Sequence, residues 1–500
     1  MKLLTKILQE EKINRVKNNV HLLIPLGLAL YLRWADIGKS SIWYDEALTI
    51  NLTRQPVFEM VRLLTNELNP PLWEIIAWFM VQILPPNEYS YRLVSFLSAI
   101  GIWILAQKIL SYHQTGKLHQ FLTLSLLAVL PYQIWMAQDA RVYALMSYLY
   151  LLGYWFVIHR KWLGLFACCG LLLYSNSAAL FYVASLLIIG VFYHPQNRVK
   201  TVVIGTGGVL IFSPWIFGSF LSNLSGQYFS GYGIPPVNAQ RIIEQVSNIF
   251  MIGGNNLPLI FDVARVMSIL TILVLMGGFV IKKILERKSI SISIPLLSVS
   301  LLAVVPLVLI TLVAWIYNNG HLILYRSFSG ISAPLILLIA VHFSSVKNFS
   351  TIILTVFFVI YSATYLFWSP QTKGGYLKEK ITLYPIENHS STVIFHATAT
   401  SLLPFDYYLD GASHYLLDAE LPAWFLIEPL QQAFRIQKIT PHQIPSDSYW
   451  VVWARDNHLP PQVHDEMAAL VKTAQPLGVI DYPQAARIEI YKISRDKEMP

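Results

Sequence analysis

The run VHLLIPLGLALYL (20–32), followed by Arg33-Trp34-Ala35-Asp36 and then Trp43-Tyr44-Asp45-Glu46-Ala47, decides the fold. Ahead of it lie Lys2, Lys6, Lys12, Arg15 and Lys17, so a basic start precedes an apolar stretch, the layout of a secretory signal. No small-residue cleavage site follows, which makes the run an uncleaved first membrane span. The acidic pair Asp45-Glu46 then falls at the outer water–lipid boundary of a chain otherwise sparing with charge. A reaction site at a membrane surface is the simplest reading.

Composition agrees. The 500 residues are 55% hydrophobic and 13% charged, with mean hydropathy +0.51. Soluble domains carry roughly twice that charged fraction, and several apolar runs reach the ~20 residues that cross a bilayer. The chain is expected to be an all-α polytopic membrane protein. A net charge of +8 could suggest nucleic acid. The basic residues sit mainly in short loops between apolar runs, however, where they orient a membrane protein. No nucleic-acid partner is expected. Cys168 and Cys169 are adjacent within an apolar run and give neither a disulfide framework nor a zinc site.

Loop charge sets the topology. With the basic N-terminus cytoplasmic, the first span exits near Asp36, and the next long run is 92–110. Between them, 36–91 is an outer loop with its own amphipathic helices. Pro71–Leu84 is too short to span and is bounded by Pro70-Pro71 and Pro85-Pro86, so it lies on or dips into the outer leaflet. Spans follow at 118–136 and 142–158, then a hairpin over 162–193 turning at Tyr174-Ser175-Asn176-Ser177, and an exit at 202–219. A second outer loop, 220–261, precedes spans at 262–281, 293–317, 322–343 and 349–367. The total is about 11 spans in the cell (inner or plasma) membrane, basic loops inside. That makes 1–369 a membrane domain. The tail, 370–500, is more polar, contains no span-length run and shows strand-like segments at Ser391–His396, Tyr449–Arg455 and Arg487–Ile493. It is expected to be a small extracytoplasmic α/β domain.

Three clusters reach the outer boundary. Asp45 could simply cap a helix beginning at Glu46, yet a carboxylate held there, beside Trp43 and Tyr44, is also placed to take a proton from a hydroxyl. Asn69-Pro70-Pro71-Leu72-Trp73-Glu74 reads alone as a helix start. In Gln138-Asp139-Ala140-Arg141-Val142-Tyr143, Arg141 could be an interface anchor, but outer loops are poor in arginine and a guanidinium binds phosphate bidentately. Tyr325-Arg326 is a second candidate of that kind. There is no Walker-type loop and no GxGxxG after a strand.

In order and spacing, these motifs resemble the GT-C glycosyltransferases, in particular the group that includes protein O-mannosyltransferases, lipid A aminoarabinose transferases and bacterial family 39-like enzymes. The group shows W-Y-D-E-A, H-P-P-L-Y/W, R-L-x-S-x-L and Q-E-A-R-M-Y-A-L. This chain has Trp43-Tyr44-Asp45-Glu46-Ala47, Asn69-Pro70-Pro71-Leu72-Trp73, Arg92-Leu93-Val94-Ser95-Phe96-Leu97 and Gln138-Asp139-Ala140-Arg141-Val142-Tyr143-Ala144-Leu145, with Pro214-Trp215 beyond. The resemblance covers roughly 40–215 and implies a GT-C fold and transfer of a sugar, with inversion, from a polyprenyl-phosphate carrier to a hydroxyl of a lipid, glycan or protein. It implies Asp45 as general base or acceptor-orienting carboxylate, Glu46 as its support, and Arg141, with Arg326, on the donor phosphate. Trp43, Tyr44, Asn69, Gln138, Asp139, Tyr143 and Asn176 would line the substrate pocket. Two departures stand out: Asn69 replaces the usual His before Pro-Pro, and Ser175-Asn176 replaces a His-Tyr in the hairpin turn. Asparagine neither titrates near neutrality nor binds transition metals well. The expectation is therefore no tightly bound metal, or a hard oxygen-bound cation such as Mg or Mn. Two other readings remain: a flippase of lipid-linked saccharides, against which stand charges kept at one face and no internal repeat, and a catalytically degenerate glycan-binding relative.

Overall fold

The computed structural model describes residues 20–65, 69–220, 237–249, 294–318, 320, 322–342, 377–419, 428–456, 460–472, 474–482 and 486–494, with isolated positions at 266, 352, 355–360 and 362. The expected spans 262–281 and 349–367, and most of the second outer loop, lie largely outside these residues.

The helices are α1 (Leu23–Trp34), α2 (Tyr44–Thr53), α3 (Val57–Leu64), α4 (Leu72–Ile83), α5 (Glu88–Tyr112), α6 (Lys117–Val129), α7 (Pro131–Ala137), α8 (Tyr143–Ile158), α9 (Trp162–Leu173), α10 (Ala179–Tyr193), α11 (Arg198–Trp215), α12 (Ala239–Ser247), α13 (Ile294–Ile316) and α14 (Ser332–His342), the last preceded by a 3-10 segment, Tyr325–Ile331. Among the described residues three are long and apolar enough to cross a membrane: Glu88–Tyr112, Pro195–Ser219 and Leu297–Ile316. Large apolar side chains such as Val203, Leu210, Phe217, Leu312 and Ile316 stay exposed on them, as on surfaces that lipid covers.

The span expected over 118–136 is broken. Helices α6 and α7 meet at 58°, and the reason is Pro131, which has no N–H to give the Leu127 carbonyl one turn back. Arg33, fully buried at the end of α1, supplies the missing donors: Nη2 to Leu127 O at 2.8 Å and Nη1 to Ala128 O at 3.0 Å. The span expected over 322–343 likewise opens as a 3-10 turn before becoming helical. The hairpin over 162–193 is present as α9 and α10, and 36–91 does carry its own helices, α2, α3 and α4. Buried tyrosines stitch the bundle together. Tyr150 donates to Leu302 O at 2.6 Å, Tyr154 bonds Ser298 at 2.8 Å, and Tyr182 donates to Ser327 O at 2.6 Å. Each buried hydroxyl thus has the partner that burial demands.

Beyond the bundle come α15 (Leu377–Leu383), β1 (Val393–His396), α16 (Ala399–Tyr408), β2 (Ser413–Leu417), α17 (Glu428–Ala433), β3 (Gln437–Ile439), β4 (Ser448–Asp456), α18 (Pro461–Val471), β5 (Gln475–Tyr482) and β6 (Ala486–Ser494). The six strands form one sheet in the order β3-β2-β1-β4-β6-β5, parallel from β3 to β4 and antiparallel from β4 to β5. Strand alternation gives it two apolar faces. Phe395, Val451 and Trp453 pack under α18, while Ile394, Trp450, Val452 and Ile490 pack with Phe405 of α16 and with Trp43 from the α1–α2 loop.

Candidate active site

Helix α2 starts at Tyr44, two residues before the start the sequence suggested, so the reading of Asp45 as its cap is corrected. Trp43 holds the cap position with extended backbone (φ −103°, ψ 173°), and the Glu46 carboxylate accepts its N–H at 3.4 Å, one half of a capping box. Asp45 therefore lies in the first helical turn, where negative charge complements the helix dipole and the carboxylate is free of capping duty.

Glu46 faces inward and is completely buried. Its Oε2 accepts Arg92 Nη2 at 2.6 Å, while Oε1 accepts Arg92 Nε at 2.8 Å and the Ala140 N–H at 2.7 Å. Arg92, equally buried in the first turns of α5, spends its other donors on the carbonyls of Ile37 and Ser40, at 2.7 and 2.8 Å, and of Ser41 at 3.2 Å. A bidentate pair with every remaining donor satisfied is the geometry in which burying two charges is tolerable. It ties the α1–α2 loop, α2, α5 and the 138–142 segment to one another.

That segment, the irregular turn between α7 and α8, is gripped from all sides. Trp73 of α4 donates to Ala140 O at 2.9 Å, Ser95 of α5 to Asp139 O at 2.5 Å, and Trp43 Nε1 to the Asp139 carboxylate at 3.0 Å. The side chain it aims is Arg141, whose Nη1 reaches the Asp45 carbonyl at 3.3 Å and Thr49 Oγ1 at 3.0 Å, with the Glu74 carboxylate 3.8 Å away. Arg141 Nε has no hydrogen-bond partner among the described residues. Burial raises the Glu74 carboxyl above the usual carboxylate range, the Arg141 charge opposing it.

Arg326 arrives from the opposite side of the chain's sequence. Its guanidinium forms an ion pair with the Asp45 carboxylate, lies 5.6 Å from the centre of the Trp43 ring, and points Nη1 at the Tyr143 hydroxyl at 3.5 Å. Its Nε, too, has no partner among the described residues. Tyr143 stacks on Trp135 at 6.0 Å between ring centres. Asp45, Arg141, Arg326 and Tyr143, separated by up to 281 positions, thus meet in one part-buried cluster in which the Nε atoms of both arginines have no partner among the described residues.

The remaining candidates divide. Asn69 and Asn176 meet, Nδ2 of Asn176 donating to Asn69 Oδ1 at 3.3 Å, and the Leu72 N–H at the start of α4 is taken by Tyr174 O at 3.1 Å. The hairpin turn and the Pro-Pro motif therefore form one wall. Gln138 turns away, donating to the Leu32 carbonyl at 3.1 Å, and so secures α1. Tyr44 packs half-buried on the main core, and Trp43 is itself packed into the face of the sheet. A divalent cation does not suit this donor set. The Asn176 amide oxygen already accepts the Ala178 N–H at 2.9 Å, the Asn69 oxygen accepts Asn176, and two guanidinium groups flank Asp45. Among the described residues no group of three or more His, Cys, Asp or Glu is placed to hold a metal. An apolar groove of about 540 Å³ between α10 and α11 is lined by residues such as Leu187, Val191, Phe192 and Val202, none of them ionisable.

Sequence reasoning missed Arg92, Thr49 and Glu74 as parts of the site. The available signal was that a charge inside an apolar helix must have a partner; it points to Arg92 but not to whom it pairs with.

No protein-family model and no curated protein matches the chain. Solved structures do. ArnT from Cupriavidus metallidurans in the apo state is 11% identical with a TM-score of 0.43, over 97% of this chain and 100% of that one. The same protein bound to undecaprenyl phosphate is 10% identical with a TM-score of 0.41, over 95% and 98%. The archaeal oligosaccharyltransferase AglB from Archaeoglobus fulgidus, in complex with an inhibitory peptide and a dolichol-phosphate, is 11% identical with a TM-score of 0.45, over 88% and 70%. Likeness this loose does not assign a reaction, which has to come from the side chains.

Proposed function

We propose that the chain is an inverting glycosyltransferase that moves a sugar from a polyprenyl-phosphate carrier to a hydroxyl of a lipid, glycan or protein at the outer membrane face. The observation that carries this reading is the convergence of one carboxylate, Asp45, with two arginines that keep unpartnered N–H groups, Arg141 and Arg326. In such a reaction the acceptor oxygen attacks the anomeric carbon and its proton passes to Asp45. The bond from that carbon to the phosphate oxygen breaks, and the electron pair leaves with the polyprenyl phosphate. The phosphate gains a negative charge as it departs, so preorganised guanidinium groups stabilise the transition state more than the ground state. Glu46 acts in this scheme as a positioning residue, through Arg92 and the Ala140 N–H. Residues 1–369 would form the membrane domain, with the site in the outer loop 36–91, and 370–500 the extracytoplasmic one.

Asp45→Asn is expected to abolish transfer while membrane insertion and thermal unfolding stay as in wild type. Comparing the lipids and glycans of cells with and without the protein by mass spectrometry identifies the product, which the variant must fail to restore. Wild-type turnover by Asp45→Asn would remove Asp45 from the mechanism. Flipping of a labelled polyprenyl saccharide with no transfer product would favour a transporter.

A further inference from the structure

We infer that Arg326 holds two anions in turn, the Asp45 carboxylate while no donor is bound and the donor phosphate once it is, so that donor arrival is what frees Asp45 to take a proton. This rests on the glycosyltransferase reading and adds its order of events: donor before acceptor.

The two arginines of the site are not equivalent. Arg141 hydrogen-bonds only the backbone carbonyl of Asp45 and is fixed by Thr49 and Glu74, so it feels the Asp45 charge without contacting the carboxylate. Arg326 takes that carboxylate directly, the one hydrogen bond the Asp45 side chain makes among the described residues. While the pair holds, the oxygen that would receive the acceptor proton faces a guanidinium instead of a hydroxyl. The backbone around Arg326 is anchored on three sides: the Tyr325 N–H is accepted by Gln245 of α12 at 3.0 Å, the Tyr325 carbonyl accepts Tyr132 at 2.9 Å, and the Ser327 carbonyl accepts Tyr182 at 2.6 Å. Exchange therefore needs only a side-chain rotation, which an arginine makes readily, and no movement of the turn. Both partners are part-exposed, with side-chain accessibilities of 27% and 18%, which leaves the pair within reach of a competing anion. A phosphate bridging Arg141 and Arg326 offers the bidentate match that one carboxylate oxygen does not.

In the cycle that follows, the phosphodiester draws Arg326 away and Asp45 faces the acceptor. The acceptor oxygen bonds to the anomeric carbon, its proton goes to Asp45, and the cleaved bond's electrons leave on the polyprenyl phosphate between the arginines. Once that product departs and Asp45 has returned its proton to water, the ion pair re-forms and the idle site is closed to acceptor.

The test uses purified full-length protein and undecaprenyl phosphate as the probe. Asp45→Asn should bind the probe about fivefold more tightly than wild type, the pair it removes being worth at most about 1 kcal/mol. That gain should vanish in an Arg326→Gln background, as a double-mutant cycle demands of a direct exchange. A gain that persists without Arg326 would mean plain repulsion between Asp45 and phosphate, and would overturn the exchange, as would no gain at all. A second measurement needs no variant: carbodiimide labelling of Asp45, read by mass spectrometry, should rise when the probe is added. Unchanged or reduced labelling contradicts the proposal. If wild type fails to bind the probe at all, the donor reading itself falls, a different result from binding without exchange.

Discussion

At the scale of single residues, neighbouring side chains in one motif take opposite duties. Asp45 pairs with the part-exposed Arg326 while Glu46, one position on, is sunk in a fully satisfied bidentate pair with Arg92. Adjacent helical residues point about 100° apart, so one motif can supply both a reactive group and its anchor. Removing one partner of a buried pair leaves the other charge stranded. Arg92→Ala is therefore expected to cost about 3–5 kcal/mol of stability, read as a lowered thermal unfolding midpoint and poor accumulation in the membrane. The sequence made Asp45, Arg141 and Arg326 visible because charged groups at the ends of apolar runs are few. It could not separate the roles of Asp45 and Glu46, since both are acids at a boundary, nor foresee that Gln138 turns toward α1, because an amide's spacing does not reveal its direction.

At the scale of elements, what was legible followed apolar periodicity and what was missed followed proline. The strands expected around 391–396, 449–455 and 487–493 are β1, β4 and β6, the continuous or alternating β-branched and aromatic runs. Strand β5 contains Pro476 and Gly478, both poor strand formers, and tolerates them as an edge strand with a register shift between those two residues. Strand β3, of 3 residues, is too short to show a pattern, and β2 (Ser413–Leu417) contains no β-branched residue. Between β1 and β2, His396 Nε2 lies 3.0 Å from His414 Nδ1, and His414 Nε2 meets the Leu409 carbonyl at 2.9 Å. A single proton fits between the two facing nitrogens, so the rings cannot both be cationic. Burial holds both imidazoles below the usual histidine range, and for His396 the neighbouring His414 adds to it. A depressed folded value means that the unfolded chain takes up more protons below about pH 6.5. The sheet's stability is thus intact above that pH and lost as pH falls, by up to about 1.4 kcal/mol per pH unit for each ring. Hydrogen exchange of the β1 and β2 amides, corrected for intrinsic rates, should show protection falling between pH 6.5 and 5. His414→Gln should flatten the dependence.

At the scale of the whole molecule, the tail and the site are one assembly. Tyr408 of α16 accepts the Ile42 N–H at 2.7 Å and donates to Glu88 at 3.4 Å, and Lys378 Nζ reaches the same carboxylate at 2.8 Å. At the far end of α2, Asp406 pairs with Arg54 at 2.9 Å, and Gln55 donates to Ala433 O at 3.2 Å. Helix α16 thereby clasps both ends of the helix that bears Asp45. Losing one hydroxyl that holds a buried N–H costs on the order of 1 kcal/mol. Tyr408→Phe is accordingly expected to slow turnover about fivefold while leaving undecaprenyl phosphate affinity unchanged, since it touches neither arginine. Equal losses in both measurements would contradict a positioning role. None of this was legible in the chain, because a tyrosine's partners some 366 positions away leave no local trace.

The clasp opens a second way to silence the protein. On the proposed reading, a peptide or antibody fragment that wedges between α16 and the two ends of α2 would disarm Asp45 from behind, without competing for either proposed substrate and without a lipid tail of its own. If the proposed reaction holds, inhibition of that sort is not relieved by raising donor concentration, which distinguishes such a wedge from any mimic of the proposed carrier lipid.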